Sequence, residues 1–286
     1  MMIGTVGDLV EDVAIRLLTA VNVASDTEAI IRRRRGGSAA NTAAAVAAAG
    51  FPARFIGQIG DDATGATLTA ALRAAGVDVV VRCEGRTGTI VVLVDAAGQR
   101  TMLTDRAACA GLVDPEASWL DGLSALHVPL YSLGAEPLGT TTRVLLGWAR
   151  ERGLLVSIDA SSAAVIHARG AAAVIADLEA IRPDLLLCNE DEVAALGGLP
   201  RLAAIGRLAT VAKHGPAPTV VVTPSGDQMV IEVPPLAGVR DTTGAGDAFA
   251  AGLLIGLIRG ATMAVAVAAG HAAAQRAIVA VSSDAC

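Results

Sequence analysis

Asp241-Thr242-Thr243-Gly244-Ala245-Gly246-Asp247-Ala248-Phe249 runs without a break into the apolar stretch Ala250 to Ile258. Small residues and two glycines lie between two carboxylates, just ahead of a segment whose composition reads as a buried helix. With so little side chain in the way, the peptide N–H groups of Gly244, Ala245, Gly246 and Asp247 can converge on one point, and the positive end of the helix dipole adds to them. Phosphate is the guest such a cradle suits. A carboxylate beside an anion repels it, so Asp247 needs a task there, such as accepting a proton from an attacking hydroxyl. The competing reading is a capped helix start, in which Asp241 or Thr243 caps, Asp247 complements the dipole and the glycines only make a tight turn.

Upstream of this stretch, from Leu123 onward, short apolar strands alternate with longer helical segments, the rhythm of parallel βαβ units. The expected strands are Ala125 to Val128, Leu154 to Ile158, Leu185 to Leu187 and Val220 to Thr223, with helices at Leu138 to Arg152, Ala171 to Ile181 and Glu190 to Leu196. Near-continuous apolar strands indicate a sheet covered on both faces, and ligands of such sheets lie beyond the carboxyl ends of the strands. Asp8, Asp159, Asn189 and Thr223 all fall just after an expected strand. In the first third, Ile3 to Gly7 and Arg54 to Ile59 read as strands, and Gly36-Gly37-Ser38-Ala39-Ala40-Asn41 opens a helix to Ala49 with Ser38 as its cap. Apolar and β-branched positions at Val13, Ile15, Leu17, Ile30 and Ile31, and a hairpin over Thr89 to Val94 and Arg100 to Thr104 turning near Ala97-Gly98, suggest a small separate sheet. The fold expected is α/β, a doubly covered and mostly parallel sheet with a small β-sheet lid, in one domain spanning residues 1–286.

The formal charge of −6 argues against nucleic acid as a partner, because binding its backbone needs clustered positive charge. Arg32 to Arg35 is the one basic run, read as a solvated strand end. Cys83, Cys109, Cys188 and Cys286 lack metal-ligand spacing and suit reduced thiols in a cytoplasmic protein. No secretory leader is expected from an N-terminus that meets Asp8, Glu11 and Asp12. Arg259-Gly260 interrupts the alanine-rich segment Phe249 to Ala269, which therefore reads as a buried helix pair and not a membrane span.

Two nucleotide signatures are absent. The single lysine, Lys213, follows alanine, so there is no Gly-Lys-Ser/Thr phosphate loop, and Gly244-Ala245-Gly246 lacks the third glycine of the dinucleotide fingerprint.

Gly36-Gly37 with Asn41, then Asn189-Glu190-Asp191-Glu192, then Asp241 to Asp247 occur in the order and spacing of the ribokinase-like (PfkB) carbohydrate kinases, and the chain resembles that family over essentially its whole length. The resemblance implies a doubly covered sheet that holds ATP and substrate in line, closed by a β lid that here matches residues 10–35 and 82–106. It implies that Asp247 deprotonates the acceptor hydroxyl, that Gly244, Ala245 and Gly246 form the anion hole, and that Glu192 holds magnesium through water. Asn189, Thr223 and Thr243 are expected at the nucleotide phosphates, and His271 stacked on the adenine. Asp8, Gly37, Asn41 and Asp241 are expected to bind the sugar, with Val13, Ile15, Val91 and Leu93 covering its apolar face and Arg100 or Arg106 able to receive a carboxylate or phosphate. Relatives often also bind a monovalent cation such as potassium. Where they commonly continue Gly-x-x-Gly, this chain reads Pro224-Ser225-Gly226-Asp227-Gln228.

The activity expected is ATP-dependent phosphorylation of a primary hydroxyl of a small sugar or sugar acid, the scarcity of aromatic residues disfavouring a base-stacking pocket. The alternatives are a nucleoside kinase of the same family, or a non-catalytic sugar-binding or regulatory protein on the same scaffold. A homodimer joined through the lid is the expected assembly.

Overall fold

The computed structural model describes residues 1–95, 100–239 and 241–284. In chain order the strands are β1 (Ile3–Val6), β2 (Val10–Leu17), β3 (Ala29–Gly36), β4 (Ala53–Ile59), β5 (Val77–Cys83), β6 (Thr89–Val94), β7 (Arg100–Asp105), β8 (Ala125–Pro129), β9 (Leu155–Asp159), β10 (Leu185–Asn189), β11 (Ala209–His214), β12 (Ala217–Val222) and β13 (Gln228–Ile231). The helices are α1 (Ser38–Ala48), α2 (Ala63–Ala74), α3 (Tyr131–Gly134), α4 (Leu138–Glu151), α5 (Ala163–Arg169), α6 (Ala171–Ile181), α7 (Glu190–Ala195), α8 (Leu199–Leu202), α9 (Ala245–Ile258) and α10 (Met263–Asp284).

Nine strands make the large sheet, in the order β13-β12-β11-β10-β9-β8-β1-β4-β5. Every pairing from β5 across to β11 is parallel, and β12 and β13 add an antiparallel edge. Successive side chains of one strand enter opposite cores, as a period of two requires. Leu185 and Leu187 join the layer of α1, α9 and α10, whereas Leu186 and Cys188 join that of α4 and α6. The sheet is thus covered on both faces, as its apolar strands foretell.

Helices α9 and α10 pack backbone to backbone. A Cβ on Gly252 would meet the carbonyl oxygen of Ala269 at 2.5 Å, and one on Gly256 would meet the Cα of Ala266 at 2.9 Å. The segment Met263–Val281 has the length and composition to cross a membrane, but Ala266 and Val267 are fully buried against the core.

The second sheet runs β3-β2-β6-β7, with β2 and β6 parallel and both outer pairings antiparallel. It contains the two segments expected to stand apart, with one boundary moved: Arg82 and Cys83 end β5 of the large sheet, so the second segment begins at Thr89. The hairpin turn expected near Ala97-Gly98 lies outside the described residues. Two further expectations fail in the large sheet. Strand β11 was not foreseen, and the apolar run ending at Val222 is antiparallel to it, not another βαβ strand. Only Gly215 and Pro216 join β11 to β12, too short for the crossover that a parallel connection demands.

Candidate active site

The carboxyl ends of β1, β9, β10 and β11 lie along one edge of the sheet, and α9 starts beside them. Its N-cap is Gly244 at φ +77°, with no side-chain cap, so neither Asp241 nor Thr243 fills that role. Asp241 instead accepts the N–H of Thr243 at 2.7 Å, which shapes the approach. Ala245 donates its N–H to the Thr242 carbonyl at 3.1 Å and is spoken for. The N–H groups of Gly244, Gly246 and Asp247 have no acceptor among the described residues, leaving three of the four expected donors open.

Asp247 lies in the first turn of α9. Its carboxylate accepts the Ser38 hydroxyl at 2.5 Å, and the Asn41 side chain lies near enough to favour its ionised form. Ser38 is therefore not the α1 cap, a position held by Gly37. Burial pushes the Asp247 pKa up to about 7; the Ser38 bond opposes that, the negative Asp159 adds to it, and Asn41 and Lys213 pull it back down. A carboxyl poised there can both hold and release a proton near neutrality.

On the side of β10 and β11, Asn189 caps α7 through a full capping box. Its Oδ1 accepts the Glu192 N–H at 2.9 Å, while Glu192 accepts the Asn189 backbone N–H at 2.8 Å and its side-chain amide at 2.9 Å. Glu192 is thereby held against the start of α7 and is only 2 % exposed. Burial raises the Glu192 pKa to about 7, with the neighbouring Asp159 adding and Asn189 and Lys213 opposing. Register places Lys213 beside Asn189, and its ammonium pairs with Asp159 at 2.7 Å. Burial disfavours that charge, but Asp159 and Glu192 outweigh it and hold the lysine firmly cationic. The same Nζ lies 5.9 Å over the Phe249 ring and 3.7 Å from where a Gly246 Cβ would stand, at the mouth of α9.

At the end facing the small sheet, Arg106 forks onto Asp8 with bonds of 2.7 and 2.6 Å. Gly37, at φ +98°, brings its backbone onto the Asp8 carbonyl, where a Cβ would overlap. Asp12 does the same to Gly36: its carboxylate lies where a Gly36 Cβ would be, with Arg34 at 3.7 Å. Burial raises the Asp12 pKa, with Arg34 opposing.

A family model described as "pfkB family carbohydrate kinase" matches residues 2–286. The chain belongs to the pfkB family of carbohydrate kinases. This pfkB-family kinase is 31 % identical over 229 residues to an uncharacterized sugar kinase of Archaeoglobus fulgidus, covering 74 % of this chain and 85 % of that one. It is 32 % identical over 222 residues to a fructokinase of Klebsiella pneumoniae, covering 71 % and 70 %. Its fold matches the crystal structure of adenosine kinase from Sinorhizobium meliloti with a TM-score of 0.85 at 24 % identity, over 97 % of this chain and 93 % of that one.

Within the pfkB-family fold, two residues expected at the nucleotide lie elsewhere. Thr223 follows β12, whose antiparallel course carries it to the far end of the sheet, away from Asn189 and Lys213. There it builds the β12–β13 turn with Ser225 and Asp227, which accounts for the departure at Pro224 to Gln228. His271 is buried between Phe249, 5.5 Å away, and the Thr219 hydroxyl, 2.9 Å from Nε2, and has no face left for a base. Arg106 is spent on Asp8, and the four apolar positions Val13, Ile15, Val91 and Leu93 share the face of the small sheet opposite to Asp12. Asp12, Ser38 and Lys213 were not expected in the site. Their only sequence signals were a second aspartate four residues after Asp8, a hydroxyl beside the glycine pair, and a solitary lysine at a strand end.

Proposed function

We propose that this kinase moves the terminal phosphoryl group of ATP to a primary hydroxyl of a small sugar or sugar acid, with Asp247 as general base. The observation that carries the reading is the Ser38–Asp247 bond, which ties the glycine-rich start of α1 to the anion-ready start of α9. A base, an acceptor end and a phosphate end thereby share one point.

In the reaction the acceptor oxygen forms its bond to phosphorus, the bond from that phosphorus to the departing ADP oxygen breaks, and the hydroxyl proton passes to Asp247. The open N–H groups of Gly244, Gly246 and Asp247, with Lys213, offset the charge spread over the moving oxygens. Asp12, Asn41 and the backbone at Gly36-Gly37 are the proposed acceptor contacts, in place of an Asp8 already neutralised. Asn189 and Thr243 stay on the phosphate side of the reading.

Magnesium, when bound, neutralises phosphate charge. Glu192 and Asp159, close enough to repel one another, fit a divalent cation, and Glu192 would hold it through water. No group of three or more His, Cys, Asp or Glu able to hold a metal occurs among the described residues, which suits an ion that keeps most of its waters and takes its remaining ligands from phosphate. For the base of ATP, the groove of about 480 Å³ between Leu236 and Ala272, Arg276 and Val279 of α10 replaces His271. ATP supply places the reaction in the cytoplasm. Exposed Ile31, Met102 and Leu103 on the edge strands of the small sheet support a dimer, checked by light scattering.

ADP release measured across a panel of pentoses, hexoses, sugar acids and nucleosides tests the reading. Turnover of sugars or sugar acids supports it. A response to nucleosides alone, or binding without turnover of any acceptor, rejects it.

A further inference from the structure

We propose that Arg35 receives a carboxylate or phosphate carried by the acceptor itself, so that the preferred substrate is a sugar acid or sugar phosphate and not a neutral sugar. The inference rests on the kinase reading above and narrows its acceptor.

The charges around the site are almost all spoken for. Arg106 is on Asp8, Lys213 on Asp159, Arg33 on Glu11 and Arg34 beside Asp12. Arg35 differs. It is half-buried, its Nε is enclosed by protein and has no hydrogen-bond partner, and it forms no ion pair among the described residues. Enclosing a guanidinium N–H without an acceptor is unfavourable, and the deficit is met if a ligand brings one. The basic run that reads as a solvated strand end therefore splits: its first members are exposed, and its last turns toward the site.

Position says which ligand. Arg35 precedes Gly36-Gly37, the backbone against which Asp12 and Asp8 rest, and stands three residues before Ser38, the partner of Asp247. Burial lowers the guanidinium pKa, and Asp247 is near enough for its charge to oppose that. The nucleotide end already has Lys213 and the α9 N–H groups, on the other flank of Asp247. Arg35 lies on β3, directly before the Gly36-Gly37 backbone named among the acceptor contacts. The start of α1 beside it has no acidic residue in its first turn, so that helix end adds to the positive potential there. A planar fork of donors fits a carboxylate or phosphate, whereas a neutral sugar leaves the charge unmet.

The test uses the intact protein with matched acceptors that share a free primary hydroxyl, namely glucose, gluconate and glucose 1-phosphate, and the same three forms in other stereochemistries. The parent should favour an anionic form over its neutral counterpart by more than about tenfold in kcat/KM, and Arg35→Gln should cut that ratio by roughly 30-fold, with Arg35→Lys in between. Whether the acid or the phosphate shows the larger loss identifies the anion. An equal loss on all acceptors would assign Arg35 to the transferring phosphoryl group and overturn the proposal, as would a shifted pH profile with the preference intact. If no acceptor turns over, the kinase reading fails by itself, and thermal shifts without ATP still judge Arg35. A shift by gluconate or glucose 1-phosphate that disappears in Arg35→Gln supports the proposal. An equal shift in both proteins, or none by any anionic form, overturns it.

Discussion

Ser38 and Asp247, 209 positions apart in the chain, are joined by a 2.5 Å hydrogen bond from the serine hydroxyl to a carboxylate oxygen. The bond aligns the starts of α1 and α9, so the groups proposed to hold the acceptor and those proposed to hold phosphate have a fixed relation before any substrate arrives.

Replacing Asp247 with Asn keeps the shape and the Ser38 contact but cannot take a proton. Turnover is expected to fall by about 10²- to 10⁴-fold, with ATP affinity by calorimetry little changed. A parent-like rate would show that Asp247 is not the base.

The pH dependence follows from burial of the same group. Only ionised Asp247 accepts a proton, so kcat/KM should rise with pH and level off above about 7. Ser38 stabilises the ionised form, so Ser38→Ala should move that limb to higher pH. For stability the sign is reversed. The folded pKa lies above the unfolded value, so the native state binds more protons between the two, and stability falls as pH rises from about 4 to about 7. Asp247→Asn should therefore melt higher than the parent at pH 8, with the gain shrinking toward pH 4.

Chelating magnesium should abolish turnover. Glu192→Gln keeps a side chain that can complete the capping box with Asn189 but removes the charge, so α7 should survive while half-maximal activity needs about 10- to 100-fold more magnesium. An unchanged magnesium titration would remove Glu192 from the metal's surroundings.

Two glycines in helices predict opposite outcomes on substitution by alanine. At Gly252 the new Cβ would meet the Ala269 carbonyl oxygen at 2.5 Å, and a loss of roughly 1–3 kcal/mol in urea unfolding is expected. Gly147, exposed within α4 with nothing in reach of a Cβ, should gain about 0.5–1 kcal/mol. Equal effects would contradict the close approach of α9 and α10.

Much of the fold was legible because apolar strands and the turn residues bounding them are local signals. Strand β11 escaped because Ala209 to His214 carries a lysine where a buried strand should be apolar. The charge is tolerated only because Asp159, two strands away, neutralises it. Thr223 was misplaced for the same kind of reason: the run ending at Val222 looks alike in either direction, and only the short connection from β11 turns it antiparallel. Asp8 and Asp12 are equally good acids on paper, and the arrival of Arg106 from 98 positions away singles one out as spent.

The glycine spacing, the acid after it and the apolar run behind it were enough to determine a phosphate-ready helix start with a base, since backbone freedom and helix dipoles are properties of a few consecutive residues. Which acids and cations remain available to a ligand was decided only in the tertiary structure. Burial and pairing between distant segments cancelled Asp8 with Arg106 and Asp159 with Lys213, enclosed His271, and left the Arg35 Nε without an acceptor among the described residues. Those are sums over neighbours that no local stretch of sequence contains.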